Sequence, residues 1–265
     1  MSSMTSFRPF IPVFADPRAF TSSGDIISRL RESFTSCSVA AVDTNNFFAS
    51  LNAKSTIMAV LPGIVGETSY YHQLIGDAGM AKIKDFVERG GILLTACAGS
   101  YYITEQTKYA PPWGPEKSRS NPRALFNGLA LGPIPGSAFV PNKTTQFEDI
   151  TLVPVLYEGA DGNWLTTEIA YGNGPALYNY PEDKNTTILA HYETVLGRPP
   201  AIVWKKMGAG AILWLGALPY IGPQVLGPNA TTLQKTMVAR LTTHEDGRKD
   251  LWNNITARIN AHLKI

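Results

Sequence analysis

Cys97 stands in the run Thr95-Ala96-Cys97-Ala98-Gly99, flanked on both sides by residues with very small side chains. A nucleophile elbow needs that composition, because the turn from strand to helix is tight and the reactive atom must stand clear of the backbone. The chemistry would be that of a thiolate attacking a carbonyl carbon. At a helix start, unpaired backbone N–H groups and the positive end of the dipole would lower the thiol pKa and raise its reactivity near neutrality. The other reading of the same residue is a small buried hydrophobe, a common fate of free cysteine.

The surrounding elements suit the first reading. Gly90-Gly91 releases an apolar run, Ile92 to Leu94, expected as a buried strand, and aromatic residues at helical spacing follow Gly99. Upstream, Phe10 to Phe14 is a first strand. Ser22 or Ser23 caps a helix with Ile26, Ile27, Leu30 and Phe34 on one face, and Ser38 to Val42 is a second strand. Thr56 to Leu61 is almost wholly apolar and ends in Pro62-Gly63, as expected of a central parallel strand covered on both faces. A polar aromatic loop and a helix from about Ala78 to Glu88 lead to the Cys97 strand. In an open parallel sheet, ligands bind beyond the carboxyl ends of the strands, so the turns at Gly63 and Cys97 should flank one crevice.

The second half has a different character. Lys108 to Pro122, rich in Pro, Gly and charge, is expected to be an irregular excursion over the surface. Ile150 to Tyr157, Thr186 to His191, Pro200 to Trp204 and Ala211 to Gly216 read as short strands that add hairpins to the sheet, the last two joined by Gly208-Ala209-Gly210. Helices from Thr231 to Leu241 and from Arg248 to Leu263 close the chain. We expect one domain over residues 1–265, with a core at about 9–220 and C-terminal helices within 230–263.

Composition narrows the function classes. The 265 residues, 44% hydrophobic, can bury a core without disulfide or metal. A net charge of +2 with interspersed signs leaves no basic stripe for nucleic acid. Cys37 and Cys97 carry no paired-cysteine spacing, and no apolar run is long enough to span a membrane. The expectation is a cytoplasmic protein that takes a small molecule and requires neither cofactor nor metal; the Asn-x-Ser/Thr sites at Asn142, Asn185, Asn229 and Asn254 are then chance matches.

The strings LPGIVGETSYYHQL and FVERGGILLTACAGSYYI, then FNGLALGPIPG, AYGNGPALY and ILAHYETVLGRPPAIVWKKMGAGAILWLGALPY, resemble the N-terminal domain of biotin-protein ligases in the same order, from about Pro9 to Tyr220. That family lies in the class I glutamine amidotransferase-like superfamily. The resemblance implies a stand-alone version without the ligase domain. It also implies a flavodoxin-like α/β three-layer sandwich with a mainly parallel central sheet and added β-hairpins. Cys97 then matches the nucleophile, and the backbone N–H of Ala98 and one near Gly63 match the oxyanion donors. Where active amidotransferases carry His-Pro-Glu, this chain reads Leu218-Pro219-Tyr220. Leucine cannot accept a proton, and a phenol is a poor substitute for a carboxylate.

Other groups can fill the gap. His191-Tyr192-Glu193 has a His-x-Glu spacing that puts both side chains on one face of a strand. Glu67 could hold a proton opposite Cys97, and His72, beside Tyr70 and Tyr71, is expected at a helix start facing water. Tyr71, Tyr101, Tyr102, Leu218 and Tyr220 are candidate pocket residues, and the resemblance brings the Gly172-Asn173-Gly174 turn to the crevice. Two functions remain open: a cysteine-dependent amidase or hydrolase with an atypical proton shuttle, or a non-catalytic binding or regulatory module.

Overall fold

The computed structural model describes residues 8–19, 23–64, 70–137, 150–224 and 231–264. The apolar runs become the centre of a large sheet. β1 (Phe10–Phe14), β2 (Ser38–Val42), β3 (Met58–Leu61), β4 (Ile92–Ala96) and β13 (Gly210–Leu215) lie in the order β2-β1-β3-β4-β13, all parallel. Every residue of β3, β4 and β13 is buried, because helices cover both faces. On one face α1 (Gly24–Ser33) packs in one core with Ile11, Val13, Met58, Val60 and Leu94, and α7 (Glu245–Leu263) continues that cover beside it, its Trp252 donating to the Ser33 hydroxyl of α1. On the other, α2 (Thr44–Ser50), α3 (Tyr71–Leu74), α4 (Gly76–Glu88) and α5 (Ala98–Ile103) pack against Phe14, Ala59, Leu61 and Leu93. The alternation along each strand assigns successive residues to opposite cores.

Four antiparallel strands extend the sheet beyond β13. These are β12 (Pro200–Met207), β11 (Thr186–Tyr192), β8 (Thr151–Glu158) and β9 (Trp164–Tyr171), which complete a nine-stranded sheet. The expected fold class, parallel centre with added hairpins, describes this arrangement. Ser23 precedes α1 as expected, but its side chain makes no capping hydrogen bond. α6 (Thr232–Thr243) opens on a capping box between Thr231 and Gln234, and α7 begins at Glu245, three residues before Arg248.

The surface excursion expected between Lys108 and Pro122 requires correction. β5 (Thr104–Tyr109) and β6 (Lys117–Ser120) form an antiparallel hairpin, with only the Pro-rich residues between them irregular. They join β7 (Phe126–Gly132) and β10 (Ala176–Tyr178) in a second sheet of order β10-β7-β5-β6. β6 is exposed at all four positions and has no apolar alternation, so its pairing with β5 and not a buried face defines it. α5 passes directly into β5. β9 of the large sheet ends at Tyr171 and β10 of the small one begins at Ala176, so residues 172–175 join the two sheets.

Candidate functional site around Cys97

Between β4 and α5 the backbone turns sharply at Cys97, with φ 48° and ψ −107°, a region non-glycine residues rarely occupy. The turn is fastened to β13: the Cys97 N–H donates to the Leu215 carbonyl at 2.9 Å, and so does the Ser100 hydroxyl at 2.9 Å. Ser100 and Tyr101 N–H groups close the first turn of α5 on the Cys97 carbonyl. Gly99 lets α5 approach β3, since a Cβ there would overlap the Leu61 carbonyl.

Residues 172–175 lie over this turn. Each of their four consecutive carbonyls accepts one side-chain hydrogen bond: Gly172 from the Cys97 thiol at 3.0 Å and Asn173 from Tyr101 at 3.3 Å. Gly174 accepts from Tyr171 at 2.7 Å and Pro175 from Tyr192 at 3.1 Å. Gly174 fits between Cys97 and the end of β13, where a Cβ would overlap the Gly216 carbonyl and touch the Cys97 Cα. Cys97 is left 8% exposed. Burial pushes its thiol up to about 12, opposed only by the Ala98 N–H. The expected lowering of this pKa is therefore corrected. The helix is six residues long and its first turn is enclosed, so desolvation outweighs one N–H donor and a short dipole. That same Ala98 N–H is directed at the sulfur in this conformation.

In the place of the His-Pro-Glu motif, Leu218 is buried and its N–H pairs with the Ala170 carbonyl at 2.8 Å. The Pro219 carbonyl accepts from Arg248 at 2.6 Å, and the fully buried Arg248 is also held in a two-pronged pair by Glu245 at 2.6 and 2.8 Å. Arg29 donates to the Tyr220 carbonyl at 3.3 Å. These bonds fix the Leu218 to Tyr220 segment beside Cys97. Burial holds the Tyr220 phenol well above its usual pKa, and so it does for Tyr71, Tyr101, Tyr171 and Tyr192.

The remaining candidates are dispersed. His191 and Glu193 share a face, but Tyr192 between them is the residue that turns toward Pro175 and Cys97. His191 Nδ1 lies 2.7 Å from the Arg198 carbonyl and its ring packs on Trp164, while Glu193 accepts from Thr166 at 3.2 Å. Tyr71 is buried and donates to the Pro62 carbonyl at 2.6 Å beside the buried Gly63. Tyr102 donates to the Gly76 carbonyl at 3.0 Å. His72 does not simply face water: its ring packs edge-on against Tyr102 with centroids 4.8 Å apart, and partial burial lowers its pKa to about 4. Glu67 lies outside the described residues.

The chain matches the family described as "Biotin-protein ligase, N terminal" over residues 13–264. It belongs to the biotin-protein ligase N-terminal family. Among its relatives, an uncharacterised protein of Chlamydia muridarum is 26% identical over 62% of this chain and 60% of its own length. A biotin-protein ligase of Schizosaccharomyces pombe is 28% identical over 62% of this chain and 26% of its own. The chain thus spans less than two thirds of either relative. The solved structure of a glutamine amidotransferase superposes with a TM-score of 0.52 at 14% identity, covering 79% of this chain and 90% of that one. PurLQS from Thermotoga maritima gives 0.50 at 16% identity over 90% and 99%. These two likenesses establish the amidotransferase-like fold of this family member.

Three features of this biotin-protein ligase N-terminal domain were not read from its sequence. Tyr171 and Tyr192 are not among the residues singled out from the sequence, yet their hydroxyls hold the segment over Cys97. The Glu245/Arg248 pair, three apart on α7, carried a signal in its spacing. The third is Asp16, just past β1 beside a shallow cavity of about 240 Å³ lined by Asp16, Pro17, Arg18, Asp43, Thr44 and Asn45. Its carboxylate accepts from the Arg18 side chain at 2.7 and 2.8 Å and from the Thr44 hydroxyl at 2.6 Å. Those donors hold it well below the usual carboxylate range.

Proposed function

We propose that this chain is a non-hydrolytic, small-molecule-binding or regulatory module on an amidotransferase fold, acting in the cytoplasm. The observation that carries this reading is the state of Cys97: its thiol is protonated, donates to the Gly172 carbonyl at 3.0 Å, and has Leu218 where a proton-accepting base would be required. Acyl transfer to a cysteine needs a thiolate and a group to carry the proton to the leaving nitrogen. Neither His191 nor Glu193 is directed at the sulfur, and the nearest phenols are held far above neutrality.

One observation favours the second reading, a cysteine-dependent amidase with an atypical shuttle. Cys97 keeps the strained backbone of a nucleophile elbow, which a packing cysteine does not require. Ammonia release from glutamine, asparagine and simple primary amides separates the two. The binding reading expects no release above that of Cys97→Ala; release abolished by Cys97→Ala overturns it in favour of the hydrolase.

A further inference from the structure

The hydroxyl of Tyr220 is buried and has no hydrogen-bond partner among the described residues. The other buried tyrosines around Cys97 are satisfied, since the hydroxyls of Tyr71, Tyr101, Tyr171 and Tyr192 each donate to a backbone carbonyl. Buried polar groups are nearly always paired, so this one calls for a specific reason. The segment that carries it begins right after Leu215, the acceptor of the Cys97 N–H. Its Leu218 is paired with Ala170, two residues before the carbonyl that accepts the Cys97 hydrogen bond. Besides burial, Cys97 and Asp25 raise the pKa of the Tyr220 phenol, and Cys97 and Tyr220 raise that of Tyr71, which puts Tyr220, Tyr71 and Cys97 in one neighbourhood.

We propose that Tyr220 is a ligand-binding residue of the Cys97 site, its hydroxyl donating to the carbonyl oxygen of a neutral small molecule. The inference rests on reading the Cys97 region as a small-molecule site and adds the class of ligand. An unpaired O–H in a buried site selects an acceptor oxygen. The choice of a neutral molecule follows from the surroundings. Cys97 and the five tyrosines are uncharged at physiological pH, and the nearby cations are already engaged. Arg248 is engaged by Glu245 and Pro219 and Arg29 by Glu32, while Asp25, whose bonded partner is the neutral Gln224 amide, adds negative charge. A carboxylate entering here would lose its hydration and meet no free cation, and an ammonium offers no oxygen to accept the phenol's hydrogen bond.

Two alkylating reagents of nearly equal size test the idea on the intact chain, iodoacetamide being neutral and iodoacetate anionic. Modification of Cys97 is followed near pH 9, where some thiolate forms, and resolved from Cys37 by peptide mass spectrometry. Movement of residues 172–175 is needed for both reagents and cancels in the ratio of their rates. The folded protein should favour iodoacetamide over iodoacetate more strongly than the same chain in urea. Tyr220→Phe, which loses only the hydroxyl, should cut that preference about three- to tenfold, the range expected for one hydrogen bond. A hydroxyl that serves packing alone would shift the thermal midpoint and leave the ratio unchanged, and that result overturns the proposal. Wild-type protein gives an independent readout, because excess acetamide should protect Cys97 from iodoacetamide and acetate should not. Equal protection by both overturns the proposal. The ammonia assay is indifferent to these outcomes, so the failure of one reading does not imitate failure of the other.

Discussion

Asp16 and Cys97 occupy similar places, just past the carboxyl ends of β1 and β4, and both are nearly closed to solvent, but Asp16 borders an open surface cavity whereas Cys97 lies deep beneath residues 172–175. One is held charged and the other neutral. Asp16 meets a guanidinium, a hydroxyl and two backbone N–H groups, and its carboxyl falls far below the ordinary range. Cys97 meets one N–H and an acceptor carbonyl, and its thiol rises to about 12. Depth of burial and the supply of donors together decide which way the balance falls: the shallow, donor-rich site keeps its carboxylate charged, and the deep, donor-poor one keeps its thiol neutral. A cysteine at the tip of a strand is therefore not reactive by position alone.

The largest effect that would break this comparison is in thiol chemistry. With a pKa near 12, Cys97 should react with iodoacetamide at pH 7 roughly a thousandfold more slowly than an ordinary thiol near 8.5. Its rate should climb about tenfold per pH unit. A rate that levels off below pH 9 would mean that the protein stabilises the thiolate after all. Next in size is Gly174→Ala, whose new Cβ meets the Gly216 carbonyl. It should cost about 1–3 kcal/mol in urea unfolding and speed Cys97 labelling. Unchanged labelling would show that the segment does not govern access.

Asp16→Asn should have the smallest effect, about 1 kcal/mol near pH 7, because the partner Arg18 is largely exposed and its attraction is screened. The sign with pH is fixed by the lowered folded-state pKa. This stability is fully present above the unfolded aspartate value of about 3.9 and is lost as pH falls through the folded value. Wild type and variant should therefore converge in acid denaturation curves below about pH 4. A constant gap across that range would remove the charge from the explanation.

Much of the fold was legible because it is written in apolar runs. Ile92 to Leu94 and Thr56 to Leu61 have only one plausible place, the centre of a sheet covered on both faces, whereas Ala211 to Gly216, read as part of an added hairpin, also lies in that parallel centre beside β4. The same pattern carried the strand-to-helix turn at Cys97, while the place of Leu218 came from the family resemblance. The small second sheet left no such trace, since Lys117–Ser120 is exposed throughout and has no face to mark. The ionisation of Cys97 was misread because small neighbours signal a tight turn equally well whether it is open or roofed. What roofs it, Gly172 to Pro175, comes from 75 residues away along the chain.

The connection between β9 and β10 is also a strap between two sheets. Its four residues can span at most about 14 Å when fully stretched, so it has little slack. α5 runs from the Cys97 turn into β5, and β5 lies in the same small sheet as β10. Sulfur and roof are thus tied to the same small sheet by two short arms, so the distance between them is set by the register of that sheet rather than by the loop alone.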